Sequence, residues 1–326
     1  MRRIGLLIGL LCLVASPGWA EEIAVAQYGN AVNAFPYAVA LEKHFFQQAG
    51  VDITAVIGSN GGGGDVRNLL AGQLPYVETA LPPVIAAIQK GADLAIVSDN
   101  VLSAASFAIV AMADSPIQSL SDLRGKRVGF STAQSTTQAF EIWIMDRAGY
   151  KPGEVTLLAT GGFGPGLTAL ENRGVDATVG ILPAILSNPG KYKIIVRGKD
   201  ALPPICNTVG VVLRSKAREN PGLVRGIIAG RRLAVAYMLA NRAESAAIIA
   251  KVFKLTPAVA EEAIHQLADE GVVDGVPYWG DGHFDYPGMV NMIHAARLNG
   301  MVQGEVDPHS LVDESYLPAD LKTKAP

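Results

Sequence analysis

Cysteine is almost absent from this chain: there are two, Cys12 and Cys206. Cys12 lies in an N-terminal apolar run that reads as a removable leader, which leaves one thiol and excludes an intrachain disulfide. Stability must then come from buried apolar surface. Basic charge is scarce too. Of the 27 basic residues, Arg2 and Arg3 belong to the leader, so the net charge of −3 becomes about −5 once it is removed. No basic cluster stands anywhere, which argues against nucleic acid as a partner. Aromatic residues make up only 6%. Low-complexity segments are missing, as is any apolar run of the roughly 20 residues that cross a bilayer.

The leader is "MRRIGLLIGLLCLVASPGWA". Two arginines precede its apolar stretch, and Gly18 and Ala20 offer the small side chains that a signal peptidase needs. Gly9, Leu10 and Leu11 lack the small residue that normally precedes a lipidated cysteine, so cleavage after Ala20 is expected rather than anchoring at Cys12. The mature protein is expected to be exported and periplasmic.

Hydrophobic residues reach 49% against 17% charged. A mature chain of about 306 residues is long enough for two lobes. Short β-rich runs alternate with helical patterns over 23–27, 35–49, 51–57, 65–71, 76–78, 81–89 and 94–98. The alternation resumes over 127–130, 136–148, 155–160, 167–172 and 177–181. Such alternation predicts an α/β fold, each lobe a mostly parallel sheet flanked by helices. The expected organisation is a signal peptide at 1–20, lobe I at 21–107, lobe II at 108–206, and a return to lobe I with C-terminal helices at 207–326. The extended apolar stretches 106–112 and 208–215 read as two crossover strands forming a hinge. Asn220 before Pro221 and Thr256 before Pro257 mark starts of long helices on the side of lobe I.

The two units resemble each other. In each, Ala-Gly (49–50, 148–149) precedes a strand, a glycine-rich loop, a helix and a glycine (Gly72, Gly174). Another strand end follows six residues on (Glu78, Gly180). Glycine weakens helix and strand interiors, so four in a row at Gly61 to Gly64 call for a backbone reason. A glycine-rich turn between strand and helix lets backbone N–H groups approach a ligand, and such helix termini favour anions and acceptors. In open α/β sheets these loops lie beyond the carboxyl ends of the strands, where ligands bind.

The segments "GGGGDVRNLLAGQLPYV", "AAIQKGADLAIVS", "SPIQSLSDLRGKRVGFSTAQSTTQ" and "GMVQGEVDPHSLVDESYLP" carry a resemblance to the extracytoplasmic solute-binding proteins of ABC importers. The group in question handles nitrate, aliphatic sulfonates, taurine and thiamine precursors. "SLSDLRGKRVG" indicates the broad superfamily, while the glycine run followed by "LLAGQL" is more particular. The resemblance implies a two-lobed binding-protein fold of type II that closes on a small molecule and delivers it to an inner-membrane permease. It implies a monomer without cofactor or catalysis. Where the group carries a small residue, this chain has Glu78.

Other motifs compete with this reading. "GFSTA" (129–133) is one residue short of a Gly-x-Ser-x-Gly nucleophile elbow, and of the later histidines, His265 and His294 fall on expected helices. Asp281, His283 and Asp285 in "GDGHFDYP" alternate as metal ligands on a strand would, yet two carboxylates and one histidine are an unspecific set. "GPGLTA" (164–169) lacks the downstream acid of a dinucleotide site. Ligand contacts are therefore expected from Tyr28, Asn30, Ser59, Asn60, Gly61, Gly62, Glu78 and Thr79 of one lobe. From the other come Ser131, Gln134, Ser135, Thr136, Gly162, Phe163 and Asn207. No metal site is expected. These loops hold no lysine or arginine, so a zwitterionic, cationic or neutral nitrogen-bearing ligand with a donor facing Glu78 is expected ahead of sulfate or nitrate. A periplasmic sensor subunit and an enzyme like the thiamine-pyrimidine-precursor synthases are the alternatives, and the single mature cysteine disfavours the second.

Overall fold

The computed structural model describes residues 21–59, 61–133 and 135–323. The expected leader, with its cleavage site, lies outside the described residues, as do Asn60 and Gln134.

The chain begins with β1 (Glu21–Ala26), α1 (Phe35–Glu42), α2 (Phe45–Gln48), β2 (Ile53–Ser59) and α3 (Gly63–Leu70). Then come β3 (Val77–Ala80), α4 (Leu81–Gln89) and β4 (Leu94–Val101). A second run holds β5 (Phe107–Met112), β6 (Arg127–Phe130), α5 (Thr136–Arg147), β7 (Thr156–Ala159) and α6 (Phe163–Glu171). It ends with β8 (Ala177–Ile181), α7 (Leu182–Leu186), β9 (Tyr192–Arg197) and α8 (Gly198–Ala201). The return carries β10 (Thr208–Leu213), α9 (Arg214–Glu219), α10 (Pro221–Ala240), α11 (Arg242–Phe253), α12 (Pro257–His265), β11 (Trp279–Gly282) and α13 (Tyr286–Leu298).

Local chemistry accounts for many of these boundaries. The Asn220 side chain accepts from Leu223 N at 3.1 Å and Pro221 follows as the first helical residue, so α10 starts there. Thr256 caps α12 in the same way, accepting from Val259 N at 3.2 Å. Ser135 caps α5 through Gln138 N. Every residue of β4, "LAIVSDNV", is buried, as expected of a strand covered on both faces.

Two sheets result, in the orders β11-β4-β10-β3-β1-β2 and β7-β6-β8-β5-β9. In the first, β2, β1 and β3 are parallel; in the second, β7, β6 and β8 are parallel in the matching order. Each set then receives an antiparallel strand from the other side of a crossover, β10 beside β3 and β5 beside β8. The sheets are therefore mixed, with the parallel character confined to the repeated βαβ part. The crossings themselves take place at 102–106 and 202–207, just ahead of β5 and β10. They run side by side, joined by Ile205 N to Leu102 O at 3.0 Å and Asn207 N to Val101 O at 2.8 Å.

The C-terminal helices cover the first sheet, α10 lying on α1 and α2, while α12 touches α7 and α13 touches α5 across the lobes. At the latter contact, His294 meets the edge of Trp143, with ring centroids 5.5 Å apart. No helix among the described residues is long and apolar enough to cross a membrane.

Candidate functional site

The strand ends of both lobes face one cleft. Its deep part encloses about 80 Å³ and takes its walls from three places. The first lobe supplies Gln27, Val32, Asn33, Gly61, Gly62 and Ala80; the second supplies Ser131, Thr132, Ser135, Thr136, Thr137, Phe163 and Ile181. The crossover region adds Ser106, Phe107, Asn207, Thr208 and Tyr278. An outer part of about 480 Å³ shares Gln27, Ser131 and Phe163 and extends past Asn30, Gly161 and Gly162 to Pro165, Pro183, Phe253 and Leu255. Apolar side chains stand there at Pro165, Pro183, Phe253 and Leu255 beside the polar Asn30 and Ser187.

The glycine loops shape this space. Gly61 and Gly62 have φ of 80° and 68°, and Gly161 and Gly162 have 94° and 153°, all in a range where a side chain is strained. Gly62 N is already spent, donating to Thr79 Oγ1 at 3.2 Å. Gln27, at φ 60°, is a non-glycine residue in the left-handed region, the kind of local strain that gathers at ligand sites. In the second lobe, Ser131, Ser135 and Thr137 form a closed hydroxyl cluster at the start of α5. Ser131 Oγ lies 2.7 Å from Thr137 Oγ1, and Ser135 Oγ lies 2.9 Å from the same atom. Thr136 is buried beside them, and its Oγ1 has no hydrogen-bond partner among the described residues.

Glu78 is not where the sequence suggested. Its side chain is 0% exposed and stands behind the cleft wall rather than in it. Oε1 accepts from Asn33 Nδ2 at 3.2 Å and Thr208 Oγ1 at 2.9 Å, and Oε2 accepts from Asn100 Nδ2 at 2.8 Å. Arg231 Nε of α10 lies 3.4 Å from Oε2. The Arg231 guanidinium also donates to Gly280 O and Asn100 O, each at 2.7 Å. A ligand amine facing Glu78 is thereby overturned, because the protein fills that place itself. Burial acts to lower the Arg231 pKa, but the Glu78 carboxylate together with Tyr37, Tyr76 and Asp99 outweighs this and raises it. Burial, then the same carboxylate, pushes the Tyr37 and Tyr76 hydroxyls up.

Of the other expected contacts, Gly61, Gly62, Ser131, Ser135, Thr136, Phe163 and Asn207 line the deep part, and Asn30 and Gly162 line the outer part. Tyr28, Ser59 and Thr79 line neither. Tyr28 packs edge-on against Phe253 at 5.7 Å, and Thr79 is buried holding Gly62. Gln27, Asn33, Ser106, Thr132, Thr137, Thr208 and Tyr278 were missed. The hydroxyl run "STAQSTT" signals Thr132 and Thr137, whereas nothing local marks Asn33 or Tyr278.

The competing motifs are absorbed elsewhere. His283 Nδ1 pairs with Asp281 Oδ1 at 2.7 Å, and no cluster of three metal-binding side chains occurs among the described residues. Ser131 hydrogen-bonds to hydroxyls, and no histidine lines either part of the cleft among the described residues. Burial pushes the Asp99 carboxyl well up, against the opposing pull of the Cys206 thiol.

A family model described as NMT1/THI5 like matches residues 31–245, well over half of the chain. The chain belongs to the NMT1/THI5-like family. Its fold matches that of the periplasmic aliphatic sulphonate binding protein SsuA from Escherichia coli, at a TM-score of 0.73 and 20% identity, covering 91% of this chain and 98% of that one. The periplasmic nitrate-binding protein NrtA from Synechocystis PCC 6803 is similar at 0.69 and 15% identity, with 94% and 87% covered. The desulfurization enzyme DSZB also shares the fold, at 0.59 and 14% identity, with 91% and 97% covered. No curated protein matches the sequence. This family member thus has the two-lobed fold of periplasmic binding proteins.

Proposed function

We propose that the protein is the extracytoplasmic substrate-binding component of an ABC importer. It captures a small polar organic solute, sulfonate- or taurine-like or nitrogen-bearing, between its lobes in the periplasm and hands it, as a monomer, to an inner-membrane permease. The observation that carries this reading is the cleft itself: a small cavity of hydroxyl, amide and apolar groups walled by both lobes at the strand ends, with two short crossovers beneath it. Lobes joined in this way close by hinge motion. The described walls hold hydroxyls, amides and apolar groups but no acid, base or thiol, which favours capture over turnover. The sulfonate and nitrate binding of the SsuA and NrtA relatives supports the same role.

Native mass spectrometry of the protein purified without refolding should reveal a co-purified small molecule, and small-angle scattering should give a smaller radius of gyration when that molecule is restored. Turnover of the bound molecule to a new product would favour the enzyme relative instead.

A further inference from the structure

The buried Glu78 decides which hydrogen-bonding groups the first lobe turns toward the cleft. Asn33 Nδ2 lies 3.0 Å from Ala26 O and 3.2 Å from Glu78 Oε1. A backbone carbonyl can only accept, and so can a carboxylate opposite an arginine, so both demand the amide NH₂. The reverse orientation would set Asn33 Oδ1 against two other acceptors. Both Asn33 protons are consequently used, and its carbonyl oxygen is left for the cavity that Asn33 lines. Thr208, another wall residue, gives its hydroxyl proton to the same Oε1 and retains only lone pairs. Asn33 and Thr208 therefore offer acceptors.

Donors come from the start of α5 and from the crossover. The N-terminus of the twelve-residue α5 carries the positive end of its dipole. Beside it the hydroxyl protons of Ser131, Ser135 and Thr137 are spent on one another, while the buried Thr136 Oγ1 has no partner among the described residues. At the crossover, Ser106 Oγ accepts from Tyr278 Oη at 2.9 Å and so keeps its own proton to give. None of the described residues lining the deep cavity carries a full charge, so a net charge on the ligand would find no counter-charge there.

We propose that the deep cavity recognises an uncharged amide-type group, a carboxamide, lactam or cyclic imide. Its N–H is directed at Asn33 Oδ1 of the first lobe and its carbonyl at the free Ser106 hydroxyl proton, beside the α5 start that lines the same cavity. Glu78 is a positioning residue in this scheme, acting through Asn33 and Thr208. In the outer part, the apolar side chains of Phe163, Pro165, Phe253 and Leu255 take a hydrocarbon portion of the same molecule. The assignment rests on the binding-protein reading above.

Calorimetric titration of the mature chain with matched probes tests it: succinimide against N-methylsuccinimide, and butanamide against N,N-dimethylbutanamide, with propanesulfonate and nitrate as donor-free anions. The N–H member of each pair should bind at least about tenfold more tightly than its alkylated partner, because an N-alkyl group leaves the Asn33 oxygen unpaired. In Asn33→Ser and Thr208→Val, each checked for an unchanged melting profile, that preference should shrink. The wild-type comparison stands whether or not the variants fold. Equal binding within the pairs overturns the amide assignment and leaves the binding-protein reading intact. So does binding of the anions alone. No binding by any probe, together with no co-purified molecule, removes both.

Discussion

The two lobes repeat one βαβ plan, but they treat the same glycine signal differently. In the first, the loop is closed on itself: Gly62 N donates to Thr79, and Asp65 in the first turn of α3 is buried against the Ser59 and Thr79 hydroxyls. Burial raises the Asp65 pKa and those hydroxyls pull it back. In the second, Gly162 opens α6 with no acidic residue in its first turn, and the Ser131–Thr137 hydroxyls gather next to it. The strands before the matching Leu-Pro helix starts (Leu81–Pro82, Leu182–Pro183) differ as well, ending in Glu78-Thr79-Ala80 and Val179-Gly180-Ile181. Lobe I gathers its polar groups around one buried carboxylate, while lobe II gathers hydroxyls into an uncharged cluster that lines the cleft. A repeated motif thus preserves the backbone path without preserving what the backbone offers a ligand.

Buried acids sharpen the contrast. Glu78 in lobe I has four partners, whereas Glu141 on α5 in lobe II is 0% exposed with both oxygens unpartnered among the described residues. The largest expected effect comes from removing the partner of the first. Arg231→Met should destabilise the fold by about 3–5 kcal/mol, since it strands a buried carboxylate. Denaturant unfolding followed by circular dichroism measures it, and a loss under 1 kcal/mol would mean that the pair contributes little.

Glu141 should behave in the opposite sense. Burial raises its folded pKa well above the ordinary glutamate value of 4.5. Below that value both folded and unfolded chains hold the proton and its contribution is complete. As pH climbs toward the folded pKa, the unfolded chain releases its proton first and stability is lost. Glu141→Gln should therefore melt a few degrees above the wild type at pH 8, with the gap closing near pH 4. A gap that is constant across this range would place the cause in packing rather than in the proton.

Loop substitutions come next. Gly162→Leu should weaken binding of a co-purified ligand by about tenfold, or 1.4 kcal/mol, by crowding the open loop. Gly62→Leu, where the N–H is already used, should weaken it less in calorimetry. The smallest effect belongs to the exposed Arg173–Asp114 pair at 3.2 Å: Arg173→Ala should change stability by less than about 0.5 kcal/mol.

Much of the architecture was legible in the sequence because it depends on neighbours in the chain. Proline after Asn220 or Thr256 starts a helix whatever lies around it, and a glycine demanding positive φ does so through its own sterics. The apolar runs that became β6, β8 and α4 carry their period in consecutive residues, so the α/β alternation and the paired glycine loops followed from local physics. The site was legible only in part. Ser131, Ser135, Thr136 and Phe163 sit next to the loops that announce them, and the structure brings them to the cleft. Asn33, Thr208 and Tyr278 come from three separate parts of the chain, and no local pattern joins them. Glu78 is the clearest case. From the sequence it was an acid at a strand end, free to face a ligand. Only the tertiary structure sets Arg231, Asn100, Asn33 and Thr208 around it, because a buried charge takes whichever donors the fold packs against it, regardless of their distance along the chain.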